Sequence, residues 1–172
     1  MKHLVLIFSI LISISNITYG QANLFEKYPF NEAVSIKLIS YSNMDSTQPY
    51  WKSQSCIEIP LLNNALNGTH VDFTRLDKVE TINLLEAAKL YKIAYGDNFN
   101  CTVPIRPTNC NDVKSGYGIL FLDQDDRIFT LLNFCFECKK WSRIEGELFE
   151  PICDEKMKLI KELFINNGFE IK

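Results

Sequence analysis

The chain has little histidine and no concentration of positive charge. Only His3 and His70 occur among 172 residues, and 18 Lys and Arg face 21 Asp and Glu, for a formal net charge of −3. Surfaces that bind nucleic acid carry clustered Lys and Arg, so that class of function is excluded. Catalytic sites of the Ser-His-Asp or Cys-His type need a histidine held by the fold, whereas His70 lies beside a predicted turn. We therefore predict no catalytic residues.

Linkers and repeats are also missing. Seven glycines and six prolines are spread along the chain, and no Gly-, Ser- or Pro-rich stretch separates two halves. Without a linker, repeat or low-complexity segment, the chain is expected to form one domain of ordinary size. Beyond the N-terminal region, no apolar run is long enough to cross a membrane.

The N-terminal region has the layout of a secretory signal peptide. Lys2 supplies a positive start, residues 4–14 are an apolar run, and small residues follow. This run is too short to span a bilayer, so export fits better than a membrane anchor or a buried helix. We predict a signal peptide at residues 1–20, with cleavage after Ala22 as the alternative, and one exported domain at 21–172. Loss of Lys2 moves the net charge from −3 to −4.

All the cysteines lie in the predicted mature part. Export implies an oxidising compartment, the periplasm or the exterior, and an even number of cysteines there indicates up to three disulfides. Six cysteines allow about fifteen connectivities, and the sequence does not choose among them. The candidates are Cys56, Cys101, Cys110, Cys135, Cys138 and Cys153.

Cys135 and Cys138 form a C-x-x-C motif, for which three roles stay open. A redox centre of the thioredoxin type needs a helix directly after the motif, and the segment after Cys138 has no helical apolar pattern. A strong zinc signature shows two such pairs or added histidines, and this chain has one pair. Structural disulfides are therefore favoured, and no cofactor is expected. The weaker metal candidates are Cys110, Cys135, Cys138 and Cys153.

Several disulfide pairings remain open as well. Cys101 and Cys110 would close a short, proline-stiffened loop if they paired. Cys138 has two candidate partners, Cys110 across the predicted hairpin and Cys153 just before the last helix. If a straight strand runs through both Cys135 and Cys138, their side chains point to opposite faces, and each needs its own partner.

The hydrophobic pattern indicates an α+β fold. Residues 33–42 alternate apolar and polar side chains, which is typical of a half-buried strand, and residues 55–59 are a second candidate strand. Helices are expected at about 77–95 and 154–167. The first is predicted to begin with a capping box, in which Asp77 and Glu80 satisfy each other's backbone N–H groups.

The strongest signal is a hairpin at about 117–136. Two apolar runs flank the acidic loop 123–126, and both faces of each strand are apolar, as in the middle of a covered sheet. We expect an antiparallel sheet of about four strands packed against the two helices. The predicted register sets Leu122 opposite Arg127. The loop lacks the glycine and ligand spacing of an EF-hand, so a solvated turn is expected.

Residues 110–138 resemble a hairpin of exported bacterial proteins that have no assigned activity. These proteins carry an upstream cysteine, a strand with F-x-D, a short turn and a second strand ending C-F-x-C. Here the matching residues are Cys110, residues 121–123, and Cys135 to Cys138. The resemblance implies export and no particular activity. It departs at residues 111–114, where those proteins carry Pro-Arg/His-Asn/His.

These features favour a non-enzymatic binding or interaction protein of the bacterial envelope or exterior. Its partner, a protein or a small molecule, is not identified by the sequence. The alternative is a thiol-redox or zinc protein that uses Cys135 and Cys138. An enzyme of unfamiliar type is a third possibility that the sequence leaves open.

Overall fold

The computed structural model describes residues 25–42, 73–96, 99, 101, 105, 115–144 and 151–171. Within them, five strands and two helices are arranged as follows: β1 (Ser35–Ser42), β2 (Lys78–Thr81), α1 (Leu84–Tyr95), β3 (Ser115–Leu122), β4 (Ile128–Cys135), β5 (Lys140–Ile144) and α2 (Asp154–Asn166). The strands form one antiparallel sheet in the order β2-β1-β3-β4-β5. This confirms the predicted α+β class, with five strands in place of about four.

Strands β3 and β4 form the predicted hairpin, and both are buried on both faces. The face that carries Phe121 and Phe134 packs against the helices, and we call it the helix face. The opposite face, which we call the second face, carries Leu120 and Leu131. Residues Phe121, Phe134, Leu120 and Leu131 are at most 1% exposed. Burial of each such side chain stabilises the fold by about 1.5–3 kcal/mol.

The predicted hairpin register is wrong. Leu122 pairs with Ile128 and Phe121 pairs with Thr130, with a register shift between Phe121 and Leu122. The loop holds one residue more than predicted, and Asp126 adopts a left-handed conformation with φ of 57°. A β-bulge of this kind adds a residue to one strand, which sequence alternation alone does not show.

The predicted helix at 77–95 begins seven residues late. Residues Lys78–Thr81 form the edge strand β2, and α1 starts after Asn83. The capping box is formed by Asn83 and Glu86, not by Asp77 and Glu80: each side chain accepts the other's backbone N–H at 3.0 Å. The β-branched Val79 and Thr81 favour a strand, and a second Asx-x-x-Glu spacing then supplies the true helix start.

Helix α2 ends at Asn166, within one residue of the predicted end at about 167. Gly168 has a φ of 76°, and its N–H donates to the carbonyl of Ile165 at 2.9 Å. The Phe169 N–H donates to the Phe164 carbonyl at 3.1 Å, and the two rings meet edge to face at 5.2 Å. This is a Schellman ending with its hydrophobic contact. The helix begins at Asp154, as predicted, and Cys153 is its N-cap residue.

The segment before β1 completes the helix-face core. Phe30 lies between α1 and the sheet, with its ring 5.2 Å from Tyr91 and 5.1 Å from Phe121. Phe25 contacts both Phe30 and Tyr91. Edge-to-face aromatic pairs of this kind add about 0.5–1.5 kcal/mol each beyond the buried area.

Candidate functional site

The cysteine-bearing elements meet at one end of α2. The turn 136–139 joins β4 to β5 and lies against the first turn of α2. Lys139 Nζ in this turn is 2.9 Å from Asp154 Oδ1 in the helix. Phe136 of the same turn packs on Phe164 of α2 at 5.6 Å. The structure therefore brings the C-x-x-C turn close to Cys153. We call this region the cysteine end.

Cys135 and Cys138 are both disulfide-bonded and both 1% exposed. Cys135 is the last residue of β4, opposite Lys140 of β5, and Cys138 lies in the turn. A sulfur in a disulfide is neither a thiolate nucleophile nor a thiolate metal ligand. In this state neither sulfur of the motif is available as a thiolate.

A disulfide joins Cys101 to Cys153 across 52 residues of sequence. It connects the segment after α1 to the N-cap of α2, and the Ile105 N–H donates to the Ile152 carbonyl at 3.3 Å beside it. This bond rules out a Cys101–Cys110 pair and a Cys138–Cys153 pair in this state, and it removes Cys153 from the zinc candidates. Cys56 and Cys110 lie outside the described residues.

Lys156 is the most buried charged side chain of this region, at 4% exposure. Its ammonium donates to the carbonyl of Ala94, in the last turn of α1, at 3.2 Å and lies 5.5 Å from the Phe99 ring centroid. Burial lowers the pKa of this lysine. The carbonyl end of a helix attracts positive charge, so Lys156 caps α1 from the neighbouring helix.

Sequence reasoning missed Lys156, although a signal was present. It lies at helical spacing within the apolar stripe of α2, between Cys153 and Ile160. A lysine at such a position points toward the core and needs an acceptor there.

The second face holds a buried polar oxygen. Asn133 is 3% exposed, and its side-chain oxygen Oδ1 accepts no hydrogen bond from any residue that the structure describes. Its cross-strand neighbours are Gly118 and Ser142. A buried acceptor of this kind costs about 1–3 kcal/mol unless a water or a ligand donates to it. Asn133 interrupts an otherwise apolar stretch of β4, and the sequence alone did not identify it as a buried residue.

Tyr41 and Gly116 form a close pair on the same face. The two residues are opposite each other in the ladder, and the tyrosine ring covers the glycine so closely that a Cβ there would overlap it. Burial raises the pKa of the Tyr41 phenol.

The acidic loop forms a turn and brings no ligand set together. Asp123 Oδ1 accepts the backbone N–H groups of Asp125 and Arg127 at 2.8 and 3.0 Å, and Asp125 lies 3.8 Å from the Arg127 guanidinium. Among the residues that the structure describes, no three His, Cys, Asp or Glu side chains are grouped as a metal site would require. Trp141 packs half-buried on the helix-face core, and His70 lies outside the described residues.

No family model, no curated protein and no solved structure matches this chain. In the described part of the chain, neither helix has the length and apolar character needed to cross a membrane.

Proposed function

We propose that this chain is an exported, disulfide-stabilised domain of the bacterial envelope or exterior that binds a partner and has no catalytic activity of its own. One observation carries the proposal: every cysteine within the described residues is in a disulfide. Disulfides persist in oxidising compartments outside the cytoplasm. The resemblance of residues 110–138 to exported bacterial proteins agrees with this, and so does the signal-peptide layout of residues 1–20.

The proposal that the domain has no catalytic activity rests on the groups at the cysteine end. They are disulfide-bonded cysteines, an exposed ion pair and a buried lysine that caps a helix. Each of these groups is used to hold the fold together. None presents a nucleophile or a general base beside a second catalytic group. An exported domain of this build acts through its surface, on a protein or small-molecule ligand.

The alternative, a thiol-redox or zinc protein using Cys135 and Cys138, requires thiols at those positions in the native chain. The test is thiol counting by alkylation of the purified native protein in denaturant without reductant, together with zinc quantification by elemental mass spectrometry. The binding domain predicts no alkylated cysteine and no zinc. Two alkylated cysteines at 135 and 138, or one zinc per chain, would establish the alternative. A reduced and alkylated sample is the control for complete labelling.

A further inference from the structure

We propose, building on the binding role proposed above, that one end of the sheet is a docking surface for a cationic amphipathic segment of a partner protein. Four large apolar side chains are exposed in the described part of the chain, and three of them belong to this end. They are Val34, Leu84 and Leu85, which are 71%, 45% and 67% exposed, and we call them the apolar patch. Apolar side chains exposed as a group mark interaction sites, whereas single ones are ordinary.

The backbone brings the three residues of the patch together. The Ile82 N–H donates to the Ile36 carbonyl at 3.1 Å, which extends the antiparallel pairing of β1 and β2 by one step. Val34 and Leu84 lie two residues beyond this hydrogen bond on the two chains, so both leave the sheet at the same end. Leu85 follows Leu84 in the first turn of α1. The patch is therefore formed by the segment before β1 and the start of α1.

The hairpin loop borders the patch on the other side of β1. The Val34 N–H donates to the Leu122 carbonyl at 2.9 Å, so the loop that follows Leu122 begins about one strand spacing, ~5 Å, from Val34. The charged residues of this border are four carboxylates and one guanidinium: Glu32, Asp123, Asp125, Asp126 and Arg127. The border therefore carries an excess of negative charge.

Two further charges near the patch are used within the fold. Lys37 Nζ donates to Thr81 Oγ1 at 3.0 Å, and the Glu86 carboxylate accepts the Asn83 N–H at 3.0 Å. Because these two charges have opposite signs, the border stays acidic when they are included.

The acidic border decides which partner fits. A segment that covers the apolar patch with its own apolar side chains brings its flanking side chains up to the carboxylates. Lys and Arg at those positions are attracted, whereas Asp and Glu are repelled. A second copy of this chain would bring the same acidic border against itself, and an anionic lipid surface would be repelled in the same way. The chemistry that fits is a segment with apolar side chains on one face and Lys or Arg beside them, as on an amphipathic helix.

The test is the binding of a short synthetic helical peptide of leucine and lysine to the full mature protein, followed by fluorescence anisotropy of a dye on the peptide. Val34→Ser/Leu85→Ser is expected to bind the peptide about tenfold more weakly than wild type, because the apolar contact is lost. Asp125→Asn/Asp126→Asn is expected to bind about threefold more weakly at low salt and like wild type at high salt, where charges are screened. Asparagine tolerates the left-handed backbone of Asp126.

Two controls separate this surface from general adhesion. Ile165→Ser changes the fourth exposed apolar side chain, which is 49% exposed near the end of α2, and should bind the peptide like wild type. That end of α2 lies by Lys78, at the opposite end of β2 from the patch, since Lys78 Nζ donates to the Asn167 carbonyl at 3.0 Å. A peptide with glutamate in place of lysine should not bind.

Several results would overturn the proposal. These are no binding of the lysine peptide, equal binding of the glutamate peptide, or undiminished binding by Val34→Ser/Leu85→Ser. Dimerisation in analytical ultracentrifugation that this variant abolishes would identify a second copy as the occupant instead. Patch-dependent sedimentation with phosphatidylglycerol vesicles would identify a lipid surface.

Thiol counting by alkylation of the same sample distinguishes failure of this inference from failure of the proposed function. Protein with all its cysteines in disulfides that does not bind the lysine peptide overturns the docking surface alone. Free thiols at Cys135 and Cys138 overturn the proposed function, whether or not the peptide binds.

Discussion

Lys139 Nζ lies 2.9 Å from Asp154 Oδ1, which fastens the turn after β4 to the start of α2. Lys139 has a φ of 49°, a left-handed conformation that L-residues other than glycine and asparagine adopt at a cost. The pair is exposed, with side-chain exposures of 47% and 71%, so the ion pair itself contributes about 0–1 kcal/mol. Lys139 therefore costs stability through its left-handed backbone and gains little from its ion pair with Asp154.

The first prediction compares two substitutions at this position. Lys139→Gly and Lys139→Ala both remove the ion pair, but only glycine also removes the left-handed cost. Lys139→Gly is expected to be more stable than Lys139→Ala by about 1 kcal/mol in urea unfolding. Equal stability of the two variants would mean that the backbone at this turn is not left-handed.

The second prediction concerns the glycine under Tyr41. Gly116→Ala places a methyl group where it overlaps the ring of the buried Tyr41, and is expected to cost about 1–3 kcal/mol. Gly118→Ala is the matched control, because its methyl meets Ile39 Cγ1 at 2.9 Å and Cδ1 at 3.0 Å, a smaller overlap than that of Gly116→Ala with Tyr41. In urea unfolding, Gly116→Ala should lose more unfolding free energy than Gly118→Ala. The reverse order would contradict the close packing of Tyr41 on β3.

The third prediction concerns the Cys101–Cys153 disulfide, which closes a long loop. The Cys101→Ala/Cys153→Ala variant is expected to lose about 2–4 kcal/mol of unfolding free energy under non-reducing conditions. The reason is that the unfolded chain regains the freedom of that loop. Wild-type stability in this double variant would show that the bond does not restrict the unfolded chain enough to stabilise the fold.

The fourth prediction follows from the lowered pKa of Lys156. The folded protein releases this proton at a lower pH than the unfolded chain, whose lysine titrates near its ordinary pKa of 10.5. Between the two pKa values the unfolded state holds more protons, so the contribution of Lys156 to stability rises with pH in that window. Below the window, the buried charge costs stability in full.

The measurement is the stability of wild type minus that of Lys156→Met at a series of pH values from 7 to about 10. Methionine keeps most of the length of the lysine stem and does not titrate there. The free energy of unfolding of wild type is expected to rise relative to that of Lys156→Met as the pH rises. The raised pKa values of Tyr41 and Tyr95 lower the stability of the fold as the pH rises above 10. Both proteins contain these tyrosines, so their effect cancels in the difference between wild type and Lys156→Met. A difference that does not change with pH would mean that Lys156 is hydrated in the folded state.

The sequence predicted the central hairpin because both strands are apolar on both faces, a pattern that few other structures produce. It did not predict β2, a four-residue edge strand next to a helix start that has a similar capping spacing. It also missed the hairpin register, because one bulge residue shifts every pair beyond it. Local patterns do not contain that information.

At the cysteine end, too, the sequence predicted some features and not others. The even number of cysteines and the signal-peptide layout proposed for residues 1–20 predicted disulfides, and the Cys101–Cys153 bond is present. Which sulfurs pair depends on how the segment after α1 crosses the start of α2, and the spacing of cysteines does not show this. Lys156 was predictable in principle from its place in the apolar stripe, whereas Asn133 was not, since nothing local distinguishes it from a residue at a solvated position.

The most direct test of the central claim is the intact mass of the full-length chain, expressed with its own N-terminal region in a bacterium and recovered from outside the cytoplasm. The expected mass begins at Gln21, carries all six cysteines as disulfides, and does not change on alkylation without reductant. The Leu6→Arg variant, which breaks the apolar run, should stay in the cytoplasm uncleaved. A wild-type chain that keeps Met1 and alkylates at six thiols would contradict the account.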